Sequence, residues 1–385
     1  MYLRNGRVGV YDLGSQELNE QQLTEEDELQ SLKIAERLAA EHGPDALVLG
    51  TGVLTGSFVP ASCAGFIWTN ARFMPVLGFA GVELKLSGFD FVVVKGRADK
   101  QGYLWIRDGM IEFIESEGMA GLDSWKRTDK IRGDQGDSKI QVLSTGPWGD
   151  LSEPAAQLIV DYWGGEDKVG MGAEFGKRDL AAVAFRGMGE LELKEPEKHF
   201  EDSILLMSEH IQKLGKSDGL SSYSSIALKD DFRRLLHRVV ACYGCPYPCR
   251  SFLKTFEDPN EFRLVSKEPG YLHYDVPALE KAFAMGFNAK DATVAIMKCA
   301  KAGAEPVSAF SSLSSPSLEA VDAVLSKPSD IRNSHPANFE SSFKDVEDYR
   351  AAIGLGICPR YWAKIGFDFQ AVAAYAQSAL DMNPL

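Results

Sequence analysis

Ala241-Cys242-Tyr243-Gly244-Cys245-Pro246-Tyr247-Pro248-Cys249-Arg250 sets three cysteines at C-x-x-C-x-x-x-C spacing, and a fourth follows far downstream in Gly354-Leu355-Gly356-Ile357-Cys358-Pro359. Three thiolates so spaced can face one point. With a distant fourth they clamp two parts of a fold around an inorganic core, as an iron–sulfur cluster requires. Gly244, Pro246 and Pro248 keep the run out of a helix, and Gly354 and Gly356 give Cys358 a tight backbone approach. The residues read as a [4Fe–4S] site on Cys242, Cys245, Cys249 and Cys358. Two other readings stay open. A structural zinc also takes four thiolates, usually through two paired knuckles, and the second knuckle is missing here. Disulfides fit less well, because three cysteines within eight residues cannot all pair locally and no secretory signal opens the chain. Cys63 and Cys299 stand apart and read as small buried hydrophobes.

The 385 residues suffice for two or three domains, and 45% apolar with 25% charged residues is ordinary globular composition rather than disorder. Net charge is −14, with 41 basic against 55 acidic side chains. So acidic a chain has no general attraction for nucleic acid or for anionic membrane. No apolar stretch approaches a membrane span, so a cytoplasmic, oxygen-shielded protein is expected.

Outward from the cysteines the chain changes character. Before residue 190 short Val- and Leu-rich runs end at glycine: Ala46–Gly50, Phe89–Gly96, Ile140–Ser144 and Ala181–Gly187. Residues 103–114 read as a hairpin turning at Asp108-Gly109. Helical spacing is expected over Glu25–Glu41 and Gly121–Arg132. Beyond the charged stretch at 191–199 it covers Asp202–Leu214, Asp230–Cys242, Pro277–Met285, Ala289–Ala302 and Ser317–Leu325. Pro306–Pro336 reads as a surface loop around one short helix.

With these blocks in view, the chain resembles the aldehyde:ferredoxin oxidoreductase family of tungsten- or molybdenum-pterin enzymes. The likeness rests on Gly81-Val-Glu83-Leu-Lys85 through Gly96, on the hairpin from Tyr103, on Gly170-Met-Gly172-Ala173-Glu-Phe-Gly176-Lys177 through Gly187, and on the four cysteines. It implies an α+β fold: a β-rich, pterin-platform-like domain over 1–190, then mainly helical domains over 191–385 carrying the cluster. It implies a tungsten or molybdenum bis-pterin as a further cofactor, with Gly170, Gly172, Ala173, Gly176 and Lys177 near a cofactor phosphate. On the residues alone the same glycines serve equally as turn positions before the following strand.

Several family elements are altered. An acid-glycine-acid element reads Ala300-Lys-Ala-Gly303-Ala-Glu305, and the acid before the fourth cysteine becomes Ile353. An S-G-R run reads Ser62-Cys63-Ala64, and an N-x-G-G run reads Pro75-Val-Leu-Gly78, with Arg72 nearby as a substitute cation. A P-E-Y-E element reads Pro269-Gly270-Tyr271-Leu272, leaving Glu268 as a displaced acid, and none of His237, His273 or His335 has a matching context. Buried pterin donors need acceptors, and Ile353 and Ala300 offer none. The leading expectation is a [4Fe–4S] electron-transfer protein working with ferredoxin or a catalytic partner subunit, in homo- or hetero-oligomers and under anaerobic conditions. An active aldehyde–carboxylate oxidoreductase and a zinc-bearing scaffold subunit are the alternatives.

Overall fold

The computed structural model describes residues 2–24, 30–216, 229–254, 275–327, 346–366 and 372. The valine run at Phe91–Lys95 is a strand buried on both faces: Phe91 and Val93 enter one core, Val92 and Val94 another. It is central to a six-stranded sheet of β1 (Arg7–Asp12), β2 (Glu17–Gln22), β3 (Leu47–Thr51), β4 (Gly65–Thr69), β5 (Arg72–Val76) and β6 (Phe91–Lys95), in the order β2-β1-β6-β3-β4-β5. The β1–β6 pair is parallel and the other neighbours are antiparallel. Helices α1 (Ser31–His42) and α2 (Ala80–Leu86) pack on this sheet.

A second sheet contains β7 (Gly102–Arg107), β8 (Met110–Glu115), β9 (Gln141–Ser144), β10 (Ile159–Val160) and β11 (Leu180–Arg186), ordered β10-β9-β11-β7-β8. The expected hairpin turns at Asp108 and Gly109, at φ 41° and 80°. Leu104, Ile106, Val183 and Phe185 meet Val92 and Val94 in the core between the sheets. Around this sheet lie α3 (Ser124–Gln135), α4 (Pro147–Asp150) and α5 (Met171–Gly176). Asp123 accepts the Lys126 N–H, so α3 starts three residues later than the spacing suggested.

The later chain is mainly helical: α6 (Pro196–Leu214), α7 (Lys229–Leu235), the strands β12 (Leu236–Val240) and β13 (Arg250–Leu253), then α8 (Val276–Met285), α9 (Ala289–Ala302), α10 (Pro306–Ser311), α11 (Leu318–Leu325), α12 (Val346–Leu355) and α13 (Pro359–Ile365). The architecture is α+β, β-rich first and helical afterwards. Two local expectations are corrected. The helix expected through Cys242 stops at Leu235, because Val239 and Val240 pair with Ser251 and Arg250, and cross-strand pairing outweighs helical spacing. Among the described residues the stretch from Pro306 holds two helices where one was expected.

The cores do not respect position in the chain. Val8, Phe66 and Val93 share one core with Ile353, Cys358, Tyr361 and Trp362, while Trp125, Trp148 and Trp163 share another with Phe252, Leu279, Ile296 and Phe310. Among the described residues no helix is long and apolar enough to cross a membrane.

Candidate metal centre

Residues 241–249 form the loop of the β12–β13 hairpin, so the ladder holds both ends of the cysteine run. Inside it the Cys245 N–H donates to the Cys242 carbonyl at 3.2 Å, a turn that Gly244 permits at φ 59°. Cys358 directly precedes α13, with Pro359 at its first position.

The two segments meet on a third, the connection at 52–64 between β3 and β4. The Ala61 N–H donates to the Gly244 carbonyl at 3.0 Å, and the Ala61 carbonyl accepts the Cys358 N–H at 2.9 Å. The Ala64 N–H donates to Gly356 and the Leu54 N–H to Leu355, both at 2.9 Å. A Cβ on Gly52 would lie 2.0 Å from the Gly356 nitrogen, and one on Gly356 (φ 91°) would lie 2.2 Å from Thr55 Oγ1. Gly354 makes no such approach, its nearest neighbour being Ser31 N at 3.7 Å, so the close packing falls to Gly356.

These ties bring the four cysteines into electrostatic contact: Cys245 with Cys242, Cys358 and Cys249, and Cys249 with Cys242 and Cys358. A fifth joins them. Cys63 is fully buried in the core that also holds Cys242 and Cys358, and those neighbouring thiols together with burial push its own thiol up. The burial of Cys63 agrees with its reading from the sequence as a small buried hydrophobe. The Cys63 contact draws the Cys242 thiol down to about 6 against the effect of burial, with Arg250 and Arg360 assisting. Burial pushes the Cys249 thiol up to about 12, and burial with the neighbouring thiols pushes Cys245 up as well. Among the described residues no three Cys, His, Asp or Glu side chains are grouped as ligands of a single metal ion.

Two buried arginines face this sulfur set and share one carboxylate. Arg250 Nη2 donates to Glu166 Oε1 at 2.9 Å, and Arg360 Nη1 lies 3.5 Å from the same oxygen. Arg250 Nε–H has no hydrogen-bond partner among the described residues. Gly78 makes room for this arginine, since a Cβ there would sit 3.0 Å from Arg250 Nη1. Behind the thiols, Tyr361 OH and His210 Nδ1 are 2.8 Å apart, and burial followed by Cys245 and Cys358 raises the phenol.

Lys85 anchors the connection from beneath. Its fully buried amine donates to the Gly52 and Val53 carbonyls, each at 2.8 Å, with Asp90 at 3.9 Å. Desolvation, opposed by Asp90 and aided by Arg4, brings Lys85 down to about 7 from 10.5. Between those values the unfolded chain binds more protons than the folded one, so stability from this group rises with pH, by up to about 1.4 kcal/mol per unit. It is lost as pH falls through that window and is flat below it. The stability gap between wild type and Lys85→Met, from urea melts at about pH 7.5 and about pH 9, should therefore move by about 2 kcal/mol toward the wild type at the higher pH. A pH-independent gap would show that the amine stays charged.

The glycine block is placed elsewhere, at α5. There the Gly170 and Gly172 N–H groups donate to the buried Asp167 carboxylate at 2.9 and 3.0 Å, as do Leu158 and Val169. The Ala173 N–H donates to the Gly170 carbonyl. A Cβ on Gly172 would lie 2.7 Å from the Gln157 backbone, and one on Gly176 1.7 Å from the Gly149 carbonyl oxygen. Lys177 Nζ donates to Glu174 at 2.8 Å, and Arg72 is engaged by Val169 and Glu174.

The altered family positions also have structural partners. The Ala300 carbonyl accepts the Ser124 hydroxyl, Ile353 lies in a core, and Glu305 caps α10 and pairs with Lys168 beside Asp275. His237 is half-buried on β12 rather than on a helix. Glu268, Pro269–Leu272, His273 and His335 lie outside the described residues.

Residues 28–187 match the family described as aldehyde ferredoxin oxidoreductase, N-terminal domain. The tungsten-containing aldehyde ferredoxin oxidoreductase of Pyrococcus furiosus is 27% identical over 192 residues, which is 47% of this chain and 31% of that protein. The aliphatic sulfonate oxidoreductase, WOR-like subunit, of the same organism is 28% identical over 177 residues, covering 40% of this chain and 27% of that protein. The matched stretch thus spans about a third of these curated relatives. The active site complex BamBC of benzoyl coenzyme A reductase, solved with 1,5-dienoyl-CoA, superposes with TM-score 0.66 at 17% identity, over 98% of this chain and 65% of that one. That likeness extends the shared fold across the cysteine segments.

Proposed function

From the premise that this chain is a divergent member of the aldehyde ferredoxin oxidoreductase family, we propose a one-electron carrier holding a [4Fe–4S] cluster on Cys242, Cys245, Cys249 and Cys358, exchanging electrons with ferredoxin or a catalytic partner subunit. The observation that carries this reading is the backbone tie of the cysteine hairpin and Cys358 to one connection, with two guanidinium groups that share one carboxylate beside them. When bound, the cluster supplies a single-electron reservoir. The chain's own part is to shield it and balance its charge. Arg250 and Arg360 set two guanidinium groups beside the thiols, with Glu166 shared between them, which suits a thiolate-ligated group of net negative charge. Arg250 Nε–H is a donor in want of an acceptor, as ligand sulfurs would provide. Cys245 and Cys249 are half-buried, which favours electron exchange on that side.

The Gly170–Lys177 block fits a bis-pterin phosphate poorly, because the Asp167 carboxylate already takes the N–H groups of Gly170 and Gly172. We read that block as packing for the second sheet and derive no pterin chemistry from it. Elemental analysis after anaerobic purification is the test. About four irons per chain with little zinc, and neither tungsten nor molybdenum, is the expected result. Stoichiometric tungsten or molybdenum with extractable pterin would support the aldehyde oxidoreductase instead, and zinc alone the scaffold.

A further inference from the structure

The first sheet has two ends, and the cysteine segments meet at one of them. There Thr51 pairs with Gly65, leading into the 52–64 connection. At the other end Leu47 pairs with Val94 and Val48 with Trp68. The length of β3 holds the two ends about 16 Å apart. At the far end β3 begins, β6 stops at Lys95 and β4 turns into β5 at Asn70, so three segments frame a gap. The end of α5 closes a further side, where the Arg178 guanidinium donates to the Asp45 carbonyl and to Glu174. The result is a cavity of about 510 Å³, within the roughly 300–1,000 Å³ of small-molecule sites. Gly43 lines it at φ 110°, and a Cβ there would meet nothing within 4 Å.

The wall of this cavity is cationic in a protein of net charge −14: Lys95, Lys177 and Arg178 line it against Asp45 and Glu174. Glu174 is already engaged at both oxygens. Its Oε1 accepts from Arg72 at 3.0 Å and Lys177 at 2.8 Å, and its Oε2 accepts from Arg178 at 3.2 Å. The two arginines also hold the Val169 and Asp45 carbonyls, so their work is structural. The two lysines keep capacity. Lys177 gives one of its three N–H donors to Glu174 and its side chain is 57% exposed. Lys95 Nζ stands 3.9 Å from Asp12 Oδ2, beyond hydrogen-bond length. We propose that this cavity binds a small organic phosphate monoester, its phosphate on Lys95 and Lys177 and its hydroxyl-bearing body among Asp45, Asn70 and His42. A phosphate monoester carries about −1.5 to −2 charges at neutral pH, which two ammonium groups match better than they match a single carboxylate. Asp45, Asn70 and His42 supply the acceptors and donors that fix a polar body. The site stands across the sheet from the cysteines and is independent of the cluster and of any pterin.

The test measures thermal midpoint and titration calorimetry on the whole purified chain. Ribose 5-phosphate and AMP are the probes, with ribose, adenosine and inorganic phosphate beside them at matched ionic strength. At about 1 mM at least one ester should raise the midpoint, and ribose and adenosine should not. The Lys95→Met/Lys177→Met double variant should weaken ester binding about tenfold or more. Lys100→Met, which removes an exposed pair with Glu115 on β8, should leave it unchanged. Lys177→Arg keeps the charge and should keep most of the affinity, which separates loss of the site from loss of the fold. No midpoint shift with either ester would overturn the proposal, as would full affinity in the folded double variant. Inorganic phosphate binding as tightly as the esters would overturn it too, by reducing the site to a plain anion contact.

Discussion

Cys358→Ala should strip at least about half of the iron from anaerobically purified protein while leaving it folded. In the proposed site Cys358 is the one ligand outside the hairpin, and without it three thiolates would have to hold a body that needs four. The lost side chain is small and its backbone tie is untouched, because the Cys358 N–H donates to Ala61 whatever the residue. The apo fold should therefore lose only about 1 kcal/mol, the cost of a small buried cavity. Cys299→Ala is the control: Cys299 lies on α9 in a different core from Cys242 and Cys358, and its removal should leave iron unchanged. Since Cys63 shares a core with Cys242 and Cys358, the Cys63→Ala/Cys358→Ala double variant excludes rescue by a neighbouring thiol. Iron content equal to wild type in the single and double variants would remove Cys358 from the ligand set.

Gly52→Ala should be the most destabilising single-methyl change at the site. The added carbon would meet Gly356 N at 2.0 Å, Leu355 C at 2.2 Å and Gly356 Cα at 2.3 Å, all backbone atoms that no rotamer change can move. Relief requires the 52–64 connection and the turn before Cys358 to part by about 1 Å or more, which also pulls at the Leu54–Leu355 hydrogen bond. About 3 kcal/mol is the expected loss, seen as a lowered midpoint in denaturant. Iron should fall in parallel, since the same movement carries Cys358 off the hairpin. A near-wild-type midpoint would mean that the two backbones are not in contact.

The fold was legible where burial on both faces wrote itself as continuous valine, as at Phe91–Lys95, and where Asp108-Gly109 spelled a hairpin turn. It was obscured at β5, whose Pro75 argues against a strand; that strand lies at the sheet edge, where a missing donor is tolerated. It was obscured again at Leu236–Val240, where a strand follows a helix without a break and only its partner across the loop decides the matter. Of the site, the cysteine spacing was readable because the three hairpin cysteines are local. Cys63, Arg250, Arg360 and Glu166 were not, since long-range topology brings them together and no spacing records it. The carboxylate of Asp167 likewise takes N–H groups that a motif reading left vacant for phosphate.

The hairpin and Cys358 touch chiefly through a connection built by the first sheet, and this orders biosynthesis. A nascent chain releases the hairpin thiols from the ribosome long before Cys358, and under the proposed ligand set those three alone could not close a cage. On that reading, loading with inorganic sulfide and iron would be deferred until α12 and α13 have docked, so that maturation would follow translation instead of accompanying it.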